Sequence, residues 1–291
     1  MPSAWVSRAL GRRLLGLLGC GIALGLGACA TPAERADREA QRLGFARGLV
    51  RGSGFDHVVY HREADDPGSG VLHVYLEGDG SPAAAARWHP PDPTLRRPLA
   101  LRLMALDPAP SLYLGRPCYH GAGPCSPWYW TLGRYGEEVV RSLAAAVRRA
   151  AEEWGAPGLV LIGHSGGGAL AMLVAERLPE TRAVVTLAGN LDPEAWAAHH
   201  GYEPLAGSLN PARRPPLDPR VLQLHLLGGR DAEVPPAVVE AALARQPGAR
   251  RRLLPEADHD CCWEAVWPGL LAELRKALAA QNSQRIPAIS W

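Results

Sequence analysis

A serine, a carboxylate and a histidine are spaced along this chain so that each could serve the others. Ser165 lies in Gly163-His164-Ser165-Gly166-Gly167, a Gly-x-Ser-x-Gly string. A hydroxyl is a weak nucleophile at neutral pH and needs a base to take its proton; the base in turn needs a carboxylate to fix its tautomer and stabilise the imidazolium. Asp231, in Gly228-Gly229-Arg230-Asp231, and His259, in "PEADHD", supply those two types downstream. The set predicts transfer of an acyl group to Ser165 and then to water. Asp192 is the next choice for the acid, with Glu233, Asp258 and Asp260 behind it. His199 and His200 follow no strand end and rank below His259, while His164 and His225 are given structural roles.

Composition alone would yield about 0.15 such glycine-serine strings in this chain, so the flanking elements must decide its meaning. "GLVLIG" (158–163) reads as a strand and "GGALAMLVAERL" as the helix after it. A sharp turn between two such elements lifts a serine oxygen clear of a sheet, and glycines are needed where backbone crowds the turn. Further strands are expected at 57–62, 71–78, 111–115, 182–189, 221–229 and 251–254, and helices at 137–154, 236–244 and 264–279. This alternation predicts an α/β protein, a mostly parallel sheet covered by helices on both faces. Parallel strands end at one edge, so Ser165, Asp231 and His259, each just past a strand, can converge there. Residues 190–220 show no periodicity and are expected to form an irregular insertion in a domain spanning 57–280, with a tail at 281–291.

On the strings GHSGG, GGRD and ADHD, in the order serine, acid, histidine, residues 57–280 resemble the α/β-hydrolase superfamily. The resemblance implies an eight-stranded sheet and a serine esterase, lipase or thioesterase acting on a small acyl substrate, with no metal or organic cofactor. It also implies an oxyanion hole built partly from the turn after an early strand. Here that turn is Glu77-Gly78-Asp79-Gly80, where many relatives carry His-Gly. The N–H of Asp79, then that of Gly80, is the expected first donor, and the N–H of Gly166 the second. The Asp79 carboxylate must turn away from such a site, to a backbone group or to Ser81. A shell of the fold without turnover, serving as a binding or scaffold protein, is the alternative.

The aromatic stretch "CSPWYWTLGRYG" (125–136) is either a substrate wall or core packing. Trp128, Tyr129 and Trp130 are too close in sequence to share one face, so at least one ring belongs at the surface or in a cleft.

Arg8, Arg12 and Arg13 precede an apolar run from Leu14 to Leu26, the order of a secretory signal and too short for a comfortable membrane span. Leu26-Gly27-Ala28-Cys29 resembles the lipobox of bacterial lipoproteins, which makes Cys29 the expected lipidation site. Cys20 leaves too little apolar sequence before it. Residues 1–28 are then the signal and 29–56 a tether and lead-in, on an envelope protein facing the periplasm or, without the lipid, a soluble exported one. Losing three arginines takes the net charge of +2 to −1. Neither value, without a basic stretch interleaved with aromatics, supports nucleic-acid binding. Export permits disulfides, with Cys118 and Cys125 the local pair and Cys261 and Cys262 adjacent.

Overall fold

The computed structural model describes residues 30–62, 70–80, 90–123 and 125–285. The signal-like segment, Cys29, Ser81 and the last six residues lie outside these. Among the described residues no helix is long and apolar enough to cross a membrane.

Eight strands form one sheet: β1 (Ala46–Arg51), β2 (Asp56–His61), β3 (Leu72–Leu76), β4 (Ser111–Leu114), β5 (Leu159–His164), β6 (Thr181–Leu187), β7 (Leu222–Gly228) and β8 (Arg250–Leu254). Their spatial order is β1-β2-β4-β3-β5-β6-β7-β8. Only β2 runs against its neighbours β1 and β4; every other pairing is parallel. The helices are α1 (Pro32–Arg42), α2 (Leu99–Ala105), α3 (Glu137–Glu153), α4 (Gly166–Ala175), α5 (Pro193–His200), α6 (Pro236–Ala244) and α7 (Trp263–Arg285).

The period-two geometry of a strand divides the core. Leu72, Val74 and Leu76 of β3, with Leu159 and Leu161 of β5, pack beneath α3 and α4. Tyr75, Val160 and Ile162 point to the other face, against α2 and α7. Because both faces are covered, β3, β4 and β5 are buried throughout and read as mostly apolar runs, with His73, Ser111 and His164 the polar members.

The sheet starts earlier than residue 57. β1 alternates half-buried and exposed positions, and an edge strand that is only half buried leaves a faint hydrophobic pattern. α1 is capped by Thr31 and Glu34 in a reciprocal box and buries only Ala36 and Ala40. Two further helices carry too little periodic signal for a sequence reading. α2 has seven residues in a proline-rich stretch. α5 begins within the supposedly irregular 190–220 segment, where Asp192 caps it, Pro193 opens it and Gly201 ends it in the left-handed region.

Three buried histidines serve as neutral ties, two of them between the sheet and its neighbouring segments and one between strands β6 and β7. His57 lies between the Gly115 carbonyl and Ser142 Oγ, His120 between Tyr60 and Tyr113, and His225 beside Thr186 Oγ1. Burial pushes each down from 6.5 to about 4. Between those values the unfolded chain binds protons that the folded rings refuse, so stability rises with pH across this window and is lost as pH falls. Each ring is expected to cost about 3 kcal/mol by pH 4. Urea midpoints that stay flat from pH 6.5 to pH 4 would contradict this.

Candidate active site

The site stands where β5 gives way to α4. Ser165 takes φ 53° and ψ −122°, a region that side chains avoid, and its N–H donates to the Leu187 carbonyl at 2.9 Å. Its own carbonyl accepts from Gly168 and Asn190, both at 2.9 Å. The strained turn is held from both sides, and the flanking glycines make it possible. A Cβ on Gly163 would run into the Gly167 carbonyl, and one on Gly167 into the carbonyls of Leu76 and Glu77. Ser165 itself remains partly exposed.

Asp231 follows β7 and is buried. Its Oδ1 accepts from the N–H groups of Glu233 at 2.9 Å and Val234 at 2.8 Å, which fixes the carboxylate plane. Nδ1 of His259, past β8, lies 3.1 Å from Oδ1 and 3.0 Å from Oδ2. Ser165 and His259 line the same cavity of about 430 Å³, together with Gly78, Asp79, Gly80 and Asn190. Among the described residues no hydrogen bond joins the Ser165 hydroxyl to the ring; such contacts are often loose before substrate arrives.

The alternatives weighed from sequence are occupied elsewhere. Asp192 caps α5 through Ala195 N and takes a hydrogen bond from Asn210. Asp258 holds the turn at Asp260 and Cys261 through their N–H groups. His200 bonds the Glu233 carbonyl and stacks on Tyr202, with the ring of His199 set edge-on against its own. Among the described residues none of these side chains hydrogen-bonds the His259 ring, whose Nδ1 faces Asp231 alone.

His164 is a tie between loops. Its Nδ1 lies 3.3 Å from Glu77 Oε1 and its Nε2 2.9 Å from the His259 carbonyl. Both partners are acceptors, so the ring satisfies them at both nitrogens only as the imidazolium. Burial works against that charge, but the hydrogen bond and charge of Glu77 and the His259 carbonyl outweigh it and leave the pKa above its ordinary value. Glu77 also accepts from Gly78 N and from Ala100 N at the start of α2. The Glu77 carboxylate, through His164, thus joins the β3 turn, the serine turn and the His259 turn. Sequence reasoning missed this role, although a carboxylate closing the apolar run "VYLEG" was its signal.

Asp79 is placed differently from expectation. Among the described residues its carboxylate bonds no backbone group but three side chains: Arg116 Nη1 at 2.5 Å, Arg134 Nη1 at 3.0 Å and the Tyr135 hydroxyl at 2.5 Å; Ser81 lies outside the described residues. Arg116 is 2% exposed and Arg134 7%, figures that leave the cluster almost without water. Burial alone would raise the Asp79 carboxyl; the two guanidiniums and Tyr135 outweigh it and hold it well below the usual carboxylate range. Tyr119 donates to the Asp79 carbonyl at 2.8 Å. The carboxylate packs against Gly166, where a Cβ would run into Asp79 Oδ1 and the Tyr135 hydroxyl, and the N–H groups of Asp79, Gly80 and Gly166 find no acceptor among the described residues. Gly166 is the first residue of α4, where the helix dipole favours negative charge.

Asp79→Asn would leave two buried guanidiniums without a counter-charge. A loss of about 3–5 kcal/mol is expected in urea unfolding. A stability within error of wild type would show that the cluster is solvated.

Of the 125–136 stretch, Trp128 is exposed at the surface and Trp130 is buried against Cys118 and Tyr119. It is Arg134 from this stretch, not a ring, that reaches the cavity wall; Trp196 of α5 supplies the aromatic there. Cys118 is bonded to Cys125 with Cα atoms 5.5 Å apart, and Cys261 to Cys262.

No family model and no curated protein matches the chain. Solved structures do. An esterase of Pyrococcus furiosus superposes with a TM-score of 0.59 at 14% identity, over 82% of this chain and 93% of that one. A puromycin hydrolase gives 0.59 at 17% and a prolyl endopeptidase 0.56 at 17%, each over 82% of this chain but 39% of its own. With one antiparallel strand near the edge, the crossed strand order and the strained serine at the head of α4, the chain has the α/β-hydrolase fold.

Proposed function

We propose that the protein is a serine hydrolase that cleaves an ester-like acyl bond. Ser165 Oγ attacks the carbonyl carbon while His259 Nε2 takes its proton, and Asp231 holds Nδ1–H and stabilises the imidazolium. The developing oxyanion is met by the N–H of Gly166 and that of Asp79 or Gly80. His259 then protonates the leaving alkoxide, giving an acyl-enzyme. Water, deprotonated by the same ring, attacks it and releases the acid and the free serine. The observation that carries this reading is a serine held at φ 53° in a cavity it shares with a histidine whose other nitrogen is fixed by a buried carboxylate.

The likeness in fold to an esterase and to peptidase-type hydrolases agrees with acyl transfer but does not choose between ester and amide. A fluorophosphonate probe is expected to label the wild-type protein, and 4-nitrophenyl acetate or butyrate to be turned over faster than acyl-peptide anilides. A chain that neither takes the label nor hydrolyses any of these is the binding or scaffold protein instead.

A further inference from the structure

The Arg116–Asp79–Arg134 cluster has more positive charge than its carboxylate can balance. Both Asp79 oxygens are taken, Oδ1 by Arg116 and Oδ2 by Arg134 and Tyr135. Arg116 spends its Nη2 on the Arg134 carbonyl, a neutral acceptor. Its guanidinium lies 5.0 Å over the Tyr119 ring and 5.5 Å over that of Tyr135, which closes it in. Arg134 donates Nε to the Thr131 carbonyl at 2.7 Å and Nη1 to Asp79, while its Nη2 has no acceptor among the described residues. That leaves two guanidiniums against one ionised carboxylate, and the residue with the free donor lines the cavity that holds Ser165.

A cation this poorly exposed is weakly screened, so an anion beside it gains far more than at the surface. The acidic side chains on the same cavity, Glu233 and Asp260, are exposed and their field is damped by water. His164, also buried there, has Glu77 as the partner for any charge it carries.

We propose that the cavity takes an ester carrying a second, free carboxylate, which Arg134 Nη2 binds while Ser165 attacks the ester carbonyl. This rests on the serine hydrolase reading and names its substrate class. Asp79 is then more than a turn residue, because it aligns Arg134 and leaves its outer edge for the substrate. Leu95, Val234 and Trp196 give the same cavity apolar walls suited to a short methylene spacer.

The test compares chain-matched pairs. The 4-nitrophenyl monoesters of succinate, glutarate and adipate put the charge on the acyl side, and the acetate esters of 3- and 4-hydroxybutyrate put it on the alcohol side. Each is measured against its neutral analogue. In at least one pair the anionic ester is expected to have the higher kcat/KM by about tenfold to a hundredfold, the worth of a charge-assisted hydrogen bond. Arg134→Met should collapse that ratio, and Arg134→Lys should restore part of it. Wild-type protein that favours no anionic member, or a ratio that survives Arg134→Met, overturns the proposal.

A binding measurement separates this from the fate of the catalytic reading. Calorimetry on Ser165→Ala protein should show monomethyl glutarate binding and neutral methyl valerate binding at least tenfold more weakly. Equal or absent binding of the two overturns the anion site even if the enzyme labels with a fluorophosphonate. If the glutarate monoester binds while no ester is hydrolysed, the site stands and only the hydrolase reading falls.

Discussion

Ser165→Ala is expected to abolish fluorophosphonate labelling and to lower kcat on a 4-nitrophenyl ester by about 10⁶-fold, with the unfolding midpoint unchanged. The loss is large because the other two residues act only through the hydroxyl. His259 without Ser165 has no nucleophile to deprotonate, and His259→Ala should cost about as much alone as in combination. The midpoint should hold because alanine carries the same backbone burden at φ 53°, and the turn is kept by the Leu187 and Asn190 hydrogen bonds, which are main-chain. The oxyanion N–H groups survive the change, so a residual rate of about 10³–10⁴ over water should remain. Wild-type turnover by the alanine variant would remove Ser165 from the chemistry.

Asp231→Asn is expected to lower kcat by about 10⁴-fold. The asparagine carbonyl can still accept from Glu233 and Val234, so the loop between β7 and α6 keeps its shape. Its amide then presents donors to His259 Nδ1. The ring answers by accepting there and protonating Nε2, the nitrogen that must receive the serine proton. The defect should therefore fall on kcat, with little change in stability. Asp192→Asn is the control: asparagine caps a helix as well as aspartate does, so α5 and the rate should both persist. A rate lost in Asp192→Asn and kept in Asp231→Asn would reassign the acid.

Why these residues could be found without coordinates differs from element to element. β3 and β5 are buried on both faces, so they are apolar but for His73 and His164, and α3 carries a clear stripe of three- and four-residue spacing. Where burial is one-sided or slight the pattern fades. β1 lies at the sheet edge, α2 is short, and α5 buries little beyond Trp196 and Ala197. The catalytic candidates were legible because strand ends of a parallel sheet share an edge whatever the connections do, and the serine turn demands glycines for steric reasons that leave a string in the sequence.

The sequence by itself determined the strand–helix alternation, the serine turn, and which acid and histidine follow strand ends, since each depends on local sterics or on hydrophobic period. Only the tertiary structure decided where isolated polar side chains find partners. Glu77 reaches His164 across 87 positions, and Asp79 gathers Arg116, Arg134 and Tyr135 from 37, 55 and 56 positions away. Buried charges must be paired wherever the fold happens to bring a partner, and no spacing rule along the chain encodes that meeting.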